Sequence, residues 1–346
     1  MKVGILGTAT WRTPPRHYGP WELFVYNLAE ALLDKGIDVT VFATKDSKTR
    51  AKLKAIVPVP YREHPSKMPE RIWETQHIGF FYEHADEFDI LHNSFDFIPL
   101  TYSRLVDKPL VTTIHGFSSS DIIPIYVRYH DRCAYVSISF ANRHPDLKYI
   151  ANVYHGINLA EFDFSPKGGD YLLFLGRISR DKGTDIACQL AKKVQKKLII
   201  AGIVPPEEEK YFNQKVKPDI DGKQIKFIGP VGPKEKNEIL GKAQALVHLI
   251  NFEEPFGFTL IEAMATGTPI IGFNKGAVAE IIADGKTGFV VDNLQEAEGA
   301  VARISEIKRE ACRKRVEDNF TREIMAKNYL KVYQKVIDEY SRNKKT

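Results

Sequence analysis

The chain has 346 residues, 43% hydrophobic and 27% charged, with a formal net charge of +5 and a mean hydropathy of −0.27. That composition excludes a disordered or fibrous chain, the length predicts two domains, and no run approaches the ~18 uncharged apolar residues of a membrane-spanning helix. The charge does not read as a nucleic-acid footprint, because the last 44 residues hold 13 basic and 7 acidic side chains while the preceding 302 are within one charge of neutral and carry no basic stripe with interleaved aromatics. The tail reads as a solvated helix face, or as a basic contact to an anionic membrane surface or partner. Cys133, Cys188 and Cys312 are far apart and lack CxxC spacing. They argue against a disulfide framework or a zinc site and for a reducing compartment. The opening MKVGILGTAT lacks the long apolar region of a signal peptide, so the expected location is cytoplasmic.

Apolar runs of strand length alternate with amphipathic segments from end to end. KVGILG (2–7) is followed by a predicted helix over Trp21–Lys35, and DVTVFA (38–43), DILHNS (89–94), LVTTIH (110–115) and AYVSIS (134–139) read as further strands. Pro166, Gly168 and Gly169 then break the pattern. After them come YLLFLG (171–176), KLIIAG (197–202), IKFIGP (225–230), ALVHLI (245–250), PIIGF (269–273) and TGFVV (287–291), with helices predicted over Thr184–Val194, Lys234–Ala243 and Phe256–Thr266. Short apolar strands spaced by helices predict an α/β, doubly wound architecture of parallel sheets covered on both faces. The expected domains are 1–165, with about five strands, and 166–321, with six. They are read as two facing Rossmann-like sheets whose ligands bind beyond the carboxyl ends of the strands, in the cleft. The closing helices, about 296 to 340, carry Ile324, Tyr329, Tyr333 and Val336 at helical spacing, which would return the chain end (about 322–346) to the first domain.

Four motifs point to chemistry. In EEPFGFTLIEAMATGTPI (253–270), Glu254 precedes a helix that Pro255 and Gly257 would start. On a continuous helix Glu262 would lie ~12 Å further along the axis and ~80° around it. Such a carboxylate pair suits an extended ligand with hydroxyls at both ends, and the helix-start amides between them suit a phosphate. Glu254 alone also suits plain complementation of the helix dipole. In LFLGRISRDKGTD (173–185), Gly176 ends a strand, and Arg177 and Lys182 offer a fork and a point charge to a departing diphosphate. His115 and Gly116 follow a predicted strand in VTTIHGF, where a histidine is either a structural hydrogen-bonding residue or a site residue. The loop GTATWRTPPRHYGPWE bends at Gly19 and places Pro20 at a helix start. It has no GxGxxG and the next strand has no acidic tip, which weakens a dinucleotide reading.

Taken together, these residues carry a resemblance. EPFGFTLIEAMATGTPI resembles the Glu–seven residues–Glu motif of the retaining glycosyltransferases of family 4, which have the GT-B fold. GRISRDKG resembles their basic diphosphate site, VYHGIN (153–158) their inter-domain junction, and PPRHYGPWE their PPxxYGGxE segment. ADGKTGFVVD (283–292) and the tail helix also fit. The resemblance implies a hexosyltransferase that moves a sugar from a nucleotide diphosphate sugar, UDP-linked in preference to GDP-linked, to an acceptor hydroxyl with retention. It implies that Glu254 contacts the donor sugar and Glu262 the ribose, that Arg177 and Lys182 hold the diphosphate with amides around Phe256, Gly257 and Phe258, that His115 sits at the reacting centre, and that Gly19 lets its loop approach phosphate or acceptor. The nucleotide sugar is a co-substrate, and neither a cofactor nor a metal is expected. This chain departs from the family where Pro20 replaces a second glycine and removes an amide donor; Arg12, Arg16 and His17 are candidates to compensate. Trp21 reads equally as an acceptor-pocket wall or a core anchor. The rival readings are a non-hydrolysing nucleotide-sugar epimerase of the same architecture, a glycoside hydrolase, whose carboxyls would stand roughly 5–9.5 Å apart, and a two-lobed binding protein.

Overall fold

The computed structural model describes residues 1–63, 69–117 and 119–344. The chain divides into two units, Met1–Gly156 with Arg322–Thr346, and Ile157–Thr321. The Pro166–Gly169 interruption lies inside the second unit, just ahead of its first strand.

The first unit contains β1 (Lys2–Leu6), β2 (Asp38–Phe42), β3 (Lys52–Lys54), β4 (Ile90–Asn93), β5 (Leu110–Ile114), β6 (Ala134–Ser137) and β7 (Tyr149–Asn152), in the order β3-β2-β1-β4-β5-β6-β7. Every pairing is parallel. The central strands are buried along their length because helices cover both faces, which is why they read as unbroken apolar runs. The sequence expectation of five strands missed β3 and β7. Both lie at sheet edges with partly exposed residues; KLK has a single apolar residue, and the run in YIAN stops after three at Asn152.

The second unit contains β8 (Tyr171–Leu175), β9 (Lys197–Ala201), β10 (Ile225–Gly229), β11 (Ala245–His248), β12 (Ile270–Phe273) and β13 (Gly288–Val291), ordered β10-β9-β8-β11-β12-β13. These six are the six expected. In each unit the strand order reverses between two neighbours, β1 and β4 or β8 and β11. The crevice beyond such a reversal is where open α/β sheets take their ligands.

Helix Pro20–Leu33 has proline in its first turn and buries Phe24, Val25, Leu28 and Leu32 against the first sheet. The last helix, Arg322–Asn343, belongs to the same unit and buries Met325, Tyr329, Val332, Tyr333 and Val336, a stripe at three- and four-residue spacing. Ile324 is only half-buried. The two tyrosines end in hydrogen bonds inside the sheet: Tyr329 Oη lies 2.7 Å from Thr113 Oγ1, and Tyr333 Oη lies 2.7 Å from His92 Nδ1. The other ring nitrogen of His92 meets Thr113 Oγ1 at 2.7 Å. This chain of polar groups is fully paired, so its burial carries little penalty.

Candidate active site

In the second unit, close backbone packing brings the loops after β8 and β11 together. Gly183 is left-handed (φ 67) at the start of helix Thr184–Lys193. A Cβ there would overlap the carbonyl oxygen of Leu249, so only glycine fits. The amide of Asn251 donates to the carbonyl of Asp181 at 2.7 Å. With the two loops fixed in this way, Lys182 Nζ lies 2.9 Å from Glu254 Oε2 and 4.3 Å from the centre of the Phe252 ring. His248, the last residue of β11, places Nε2 3.3 Å from the same carboxylate oxygen. The backbone of Glu254 is held as well, its carbonyl accepting from Ala277 at 2.8 Å.

Glu254 is 8% exposed. Burial alone would raise its carboxyl, but the Lys182 ammonium and His248 outweigh burial and hold it at about 2, against an ordinary 4.5. Burial pushes His248 below the usual histidine range despite the neighbouring carboxylate. The triad is therefore a charged glutamate between an ammonium and a neutral imidazole. Such a carboxylate accepts hydrogen bonds across the whole neutral range and is not a proton donor.

Other expected residues are arranged differently. Glu254 is not on the helix: the helix is Phe258–Ala265, with Gly257 left-handed (φ 91) immediately before it. The ~12 Å helical spacing from Glu254 to Glu262 therefore does not hold, because the chain turns at Gly257. A Cβ on Gly257 would stand 2.8 Å from Leu260 Cδ1. Glu262 is buried mid-helix and pairs at 2.6 Å with Lys236 Nζ, from helix Pro233–Lys242. The Phe256 ring is buried edge-on to Phe258 at 5.7 Å and to Phe320 at 6.1 Å, so the segment 256–258 offers a ligand its backbone and not the Phe256 ring. Arg177 Nη2 pairs with Asp181 Oδ2 at 3.4 Å. Lys182 and Glu254 are thus brought together, while Arg177 and Glu262 each have a partner of their own.

In the first unit, His115 follows β5 and is 7% exposed. The Trp21 ring stacks on it at 5.4 Å and Phe24 meets it edge-on at 4.8 Å. Gly19 closes the loop after β1 with φ 156, and a Cβ there would stand 2.7 Å from Glu22 Oε2. Glu22 organises that loop: one carboxylate oxygen accepts from the Trp11 amide at 3.2 Å and from the Thr8 hydroxyl. Burial raises its carboxyl to about 7. Arg12 and Arg16 are engaged locally, by the carbonyl of Pro14 at 3.0 Å and by Asp46 at 2.9 Å, and His17 is exposed.

Sequence reasoning missed Lys236, His248 and Glu22. His248 ends a strand, so the rule that selected His115 would have selected it too. Lys236 sits in the charge-rich segment PKEKNEILGK, which reads as a solvated face. Among the described residues, no group of three or more His, Cys, Asp or Glu side chains is placed to hold a metal ion. The three cysteines are free and buried, and burial lifts each thiol to about 12.

Two doubly wound units, the second with a lysine-clamped glutamate at its strand reversal, have the architecture of the GT-B glycosyltransferases. Comparison with known proteins agrees. Residues 159–323 match the family model "Glycosyl transferases group 1", and residues 22–152 match "Glycosyltransferase Family 4". The chain belongs to the family-4-like glycosyltransferases. Spore coat protein SA of Bacillus subtilis (strain 168) is 23% identical, covering 97% of this chain and 100% of that protein. Among solved structures, sucrose-phosphate synthase from Thermosynechococcus elongatus superposes with a TM-score of 0.80 at 17% identity, over 98% of this chain and 100% of that one. Anabaena Alr3699/HepE in complex with UDP-glucose superposes at 0.75 with 16% identity, over 97% and 100%. At such identities the structural likeness bears on the fold.

Proposed function

We propose that the chain transfers a hexosyl group from a nucleotide diphosphate sugar, UDP-linked in preference to GDP-linked, to an acceptor hydroxyl with retention and without a metal. The observation that carries this reading is the Lys182–Glu254–His248 cluster at the β8/β11 reversal. Glu254 accepts hydrogen bonds from sugar hydroxyls, and Lys182 spans from that carboxylate to the diphosphate, where Arg177 and the backbone of Phe256, Gly257 and Phe258 add positive potential. Glu262 is assigned to the ribose, His115 to the reacting sugar, and the loop at Gly19 to phosphate or acceptor. The bond from the anomeric carbon to the phosphate oxygen breaks, the acceptor oxygen bonds to the same face, and the acceptor proton passes to the departing phosphate. No protein nucleophile is needed, and the cations supply the charge stabilisation that a metal would otherwise give. UDP-glucose bound to the Anabaena protein supports the choice of UDP.

A glycoside hydrolase needs one carboxylic acid held protonated near neutral pH. Glu254, displaced to about 2, is not that acid, and the carboxyl that burial does raise to about 7, Glu22, is taken up by Thr8 and the Trp11 amide in a loop of the first unit. Thermal-shift measurements with UDP, GDP, ADP and TDP test the donor assignment in one plate. Stabilisation by UDP, followed by NMR of the product anomer from a UDP-sugar, is the expected course. Stabilisation by none of the four, or an inverted product, would overturn the reading.

A further inference from the structure

His115 has two partners that no motif assigned to it. Its Nε2 lies 2.7 Å from Ser94 Oγ, and its Nδ1 lies 3.3 Å from Nε2 of His155. Ser94 follows β4, His155 follows β7, and all three residues are buried. Burial lowers His155 to about 3 and His115 well below its ordinary value, the latter with help from His155 and His92. Each ring is therefore neutral, with one nitrogen carrying a proton and the other a lone pair.

The position of the proton follows from Ser94. Among the described residues, His115 Nε2 is the only hydrogen-bond partner of its hydroxyl. Were Nε2 protonated, the ring would donate to Ser94 Oγ and leave a fully buried hydroxyl hydrogen without an acceptor, a penalised state. With Ser94 as donor, the Nε2 lone pair is engaged and the proton of His115 sits on Nδ1. That N–H points to His155, so His155 Nε2 must accept and its own proton must sit on Nδ1. This assignment satisfies Ser94 and both nitrogens of His115, whereas the reverse one leaves the Ser94 hydroxyl hydrogen without an acceptor. The rings are also held against turning over: Trp21 stacks on His115 at 5.4 Å, and Phe24 packs against both imidazoles at 4.8 Å.

We infer that His155 is a positioning residue for His115, fixing it together with Ser94 as the Nδ1–H tautomer with both ring nitrogens engaged, so that the ring is held in place beside the reacting sugar and does not serve as a general acid. The inference rests on the proposed transfer reaction, in which the acceptor proton goes to the leaving phosphate and no histidine has to supply one. A ring without a proton on Nε2 fits that bookkeeping. His155 lies in VYHGIN, so the segment quoted for the family's inter-domain junction also supplies a side chain that touches the candidate site histidine.

Nitrogen-15 NMR of histidine-labelled protein tests this, with the His115 signals assigned by their loss in His115→Gln. The expected spectrum has a pyrrole-like Nδ1 and a pyridine-like Nε2 for His115. In His155→Leu the Nδ1–H loses its acceptor; the proton redistributes and kcat falls on the order of tenfold or more, with the donor KM within about twofold. His155→Asn offers an amide oxygen in the same place and restores both the tautomer and most of kcat. A wild-type His115 protonated on Nε2 would overturn the inference, as would His155→Leu with unchanged spectrum and kcat. If the protein transfers no sugar while the spectrum is as expected, the proposed reaction falls and the tautomer stands. A reversed spectrum in an active enzyme sinks the tautomer alone.

Discussion

Replacing Lys182 with methionine keeps the length of the stem and deletes the charge that holds Glu254 ionised. In the native protein the Glu254 carboxyl titrates at about 2 instead of 4.5, and a displacement of that size corresponds to roughly 3 kcal/mol. A folded value below the unfolded one makes this contribution fully present above pH 4.5 and loses it as the pH falls towards 2. In Lys182→Met, burial acts against nothing but a neutral His248. The carboxyl then moves above its ordinary range, and the sign of its pH dependence reverses. Breaking a buried pair from one side costs about 3–5 kcal/mol near pH 7. Adding Glu254→Gln removes the uncompensated charge, so the double variant regains most of that loss. Urea unfolding of the wild type, both single variants and the double variant at pH 3.5 and pH 7 measures the whole cycle. A Lys182→Met penalty under about 1 kcal/mol at pH 7, or a double variant no more stable than Lys182→Met, would refute the reasoning.

Glu254→Gln keeps the shape of the sugar contact and removes its charge; transfer falls by about 100-fold or more while donor affinity stays within a few-fold, read by initial rates and calorimetry. A chelator leaves the wild-type rate unchanged, and restoration of a lost rate by a divalent ion would sink the metal-free mechanism. Glu22 is raised to about 7 from 4.5. Its contribution is therefore present below pH 4.5 and lost as the pH rises through 7, and Glu22→Gln flattens a slope worth up to roughly 3 kcal/mol in the unfolding curve over that window. Gly183→Ala drives a Cβ into the Leu249 carbonyl and costs about 2 kcal/mol or more, whereas Gly222→Ala, left-handed but with open space around it, costs about 1 kcal/mol. Equal losses in the two would mean that the loop approach at Gly183 is not tight.

The doubly wound order was legible in the sequence because buried parallel strands must be apolar along their length, as LVTTIH and YLLFLG are. The edge strands at Lys52–Lys54 and Tyr149–Asn152 were not, since they are only three and four residues long and partly buried, too short for an apolar run to mark them. Lys182 and Glu254 were legible through their motifs, but their direct contact was not, because it depends on the approach of Gly183 to Leu249, a fit between loops 66 residues apart. The helix boundary failed for a local reason. Pro255 and Gly257 are both start signals, and the left-handed turn at Gly257 decided for the later one. Glu22 was hidden by ordinary reasoning about acidic first turns: a carboxylate there reads as dipole complementation, and only its loop partners show it to be the buried post around which residues 8–19 are wrapped.

The hydrogen bonds from Tyr329 and Tyr333 to Thr113 and His92 also set an order of events during synthesis. Residues 157–321 form an uninterrupted stretch that is complete before the last helix leaves the ribosome. The first unit is made first yet finished last, because its sheet waits for the helix Arg322–Asn343 to cover His92 and Thr113. Until then those groups are wet and the helix Pro20–Leu33 lacks a neighbour. The strands of the first unit therefore reach their native packing only when Arg322–Asn343 is in place.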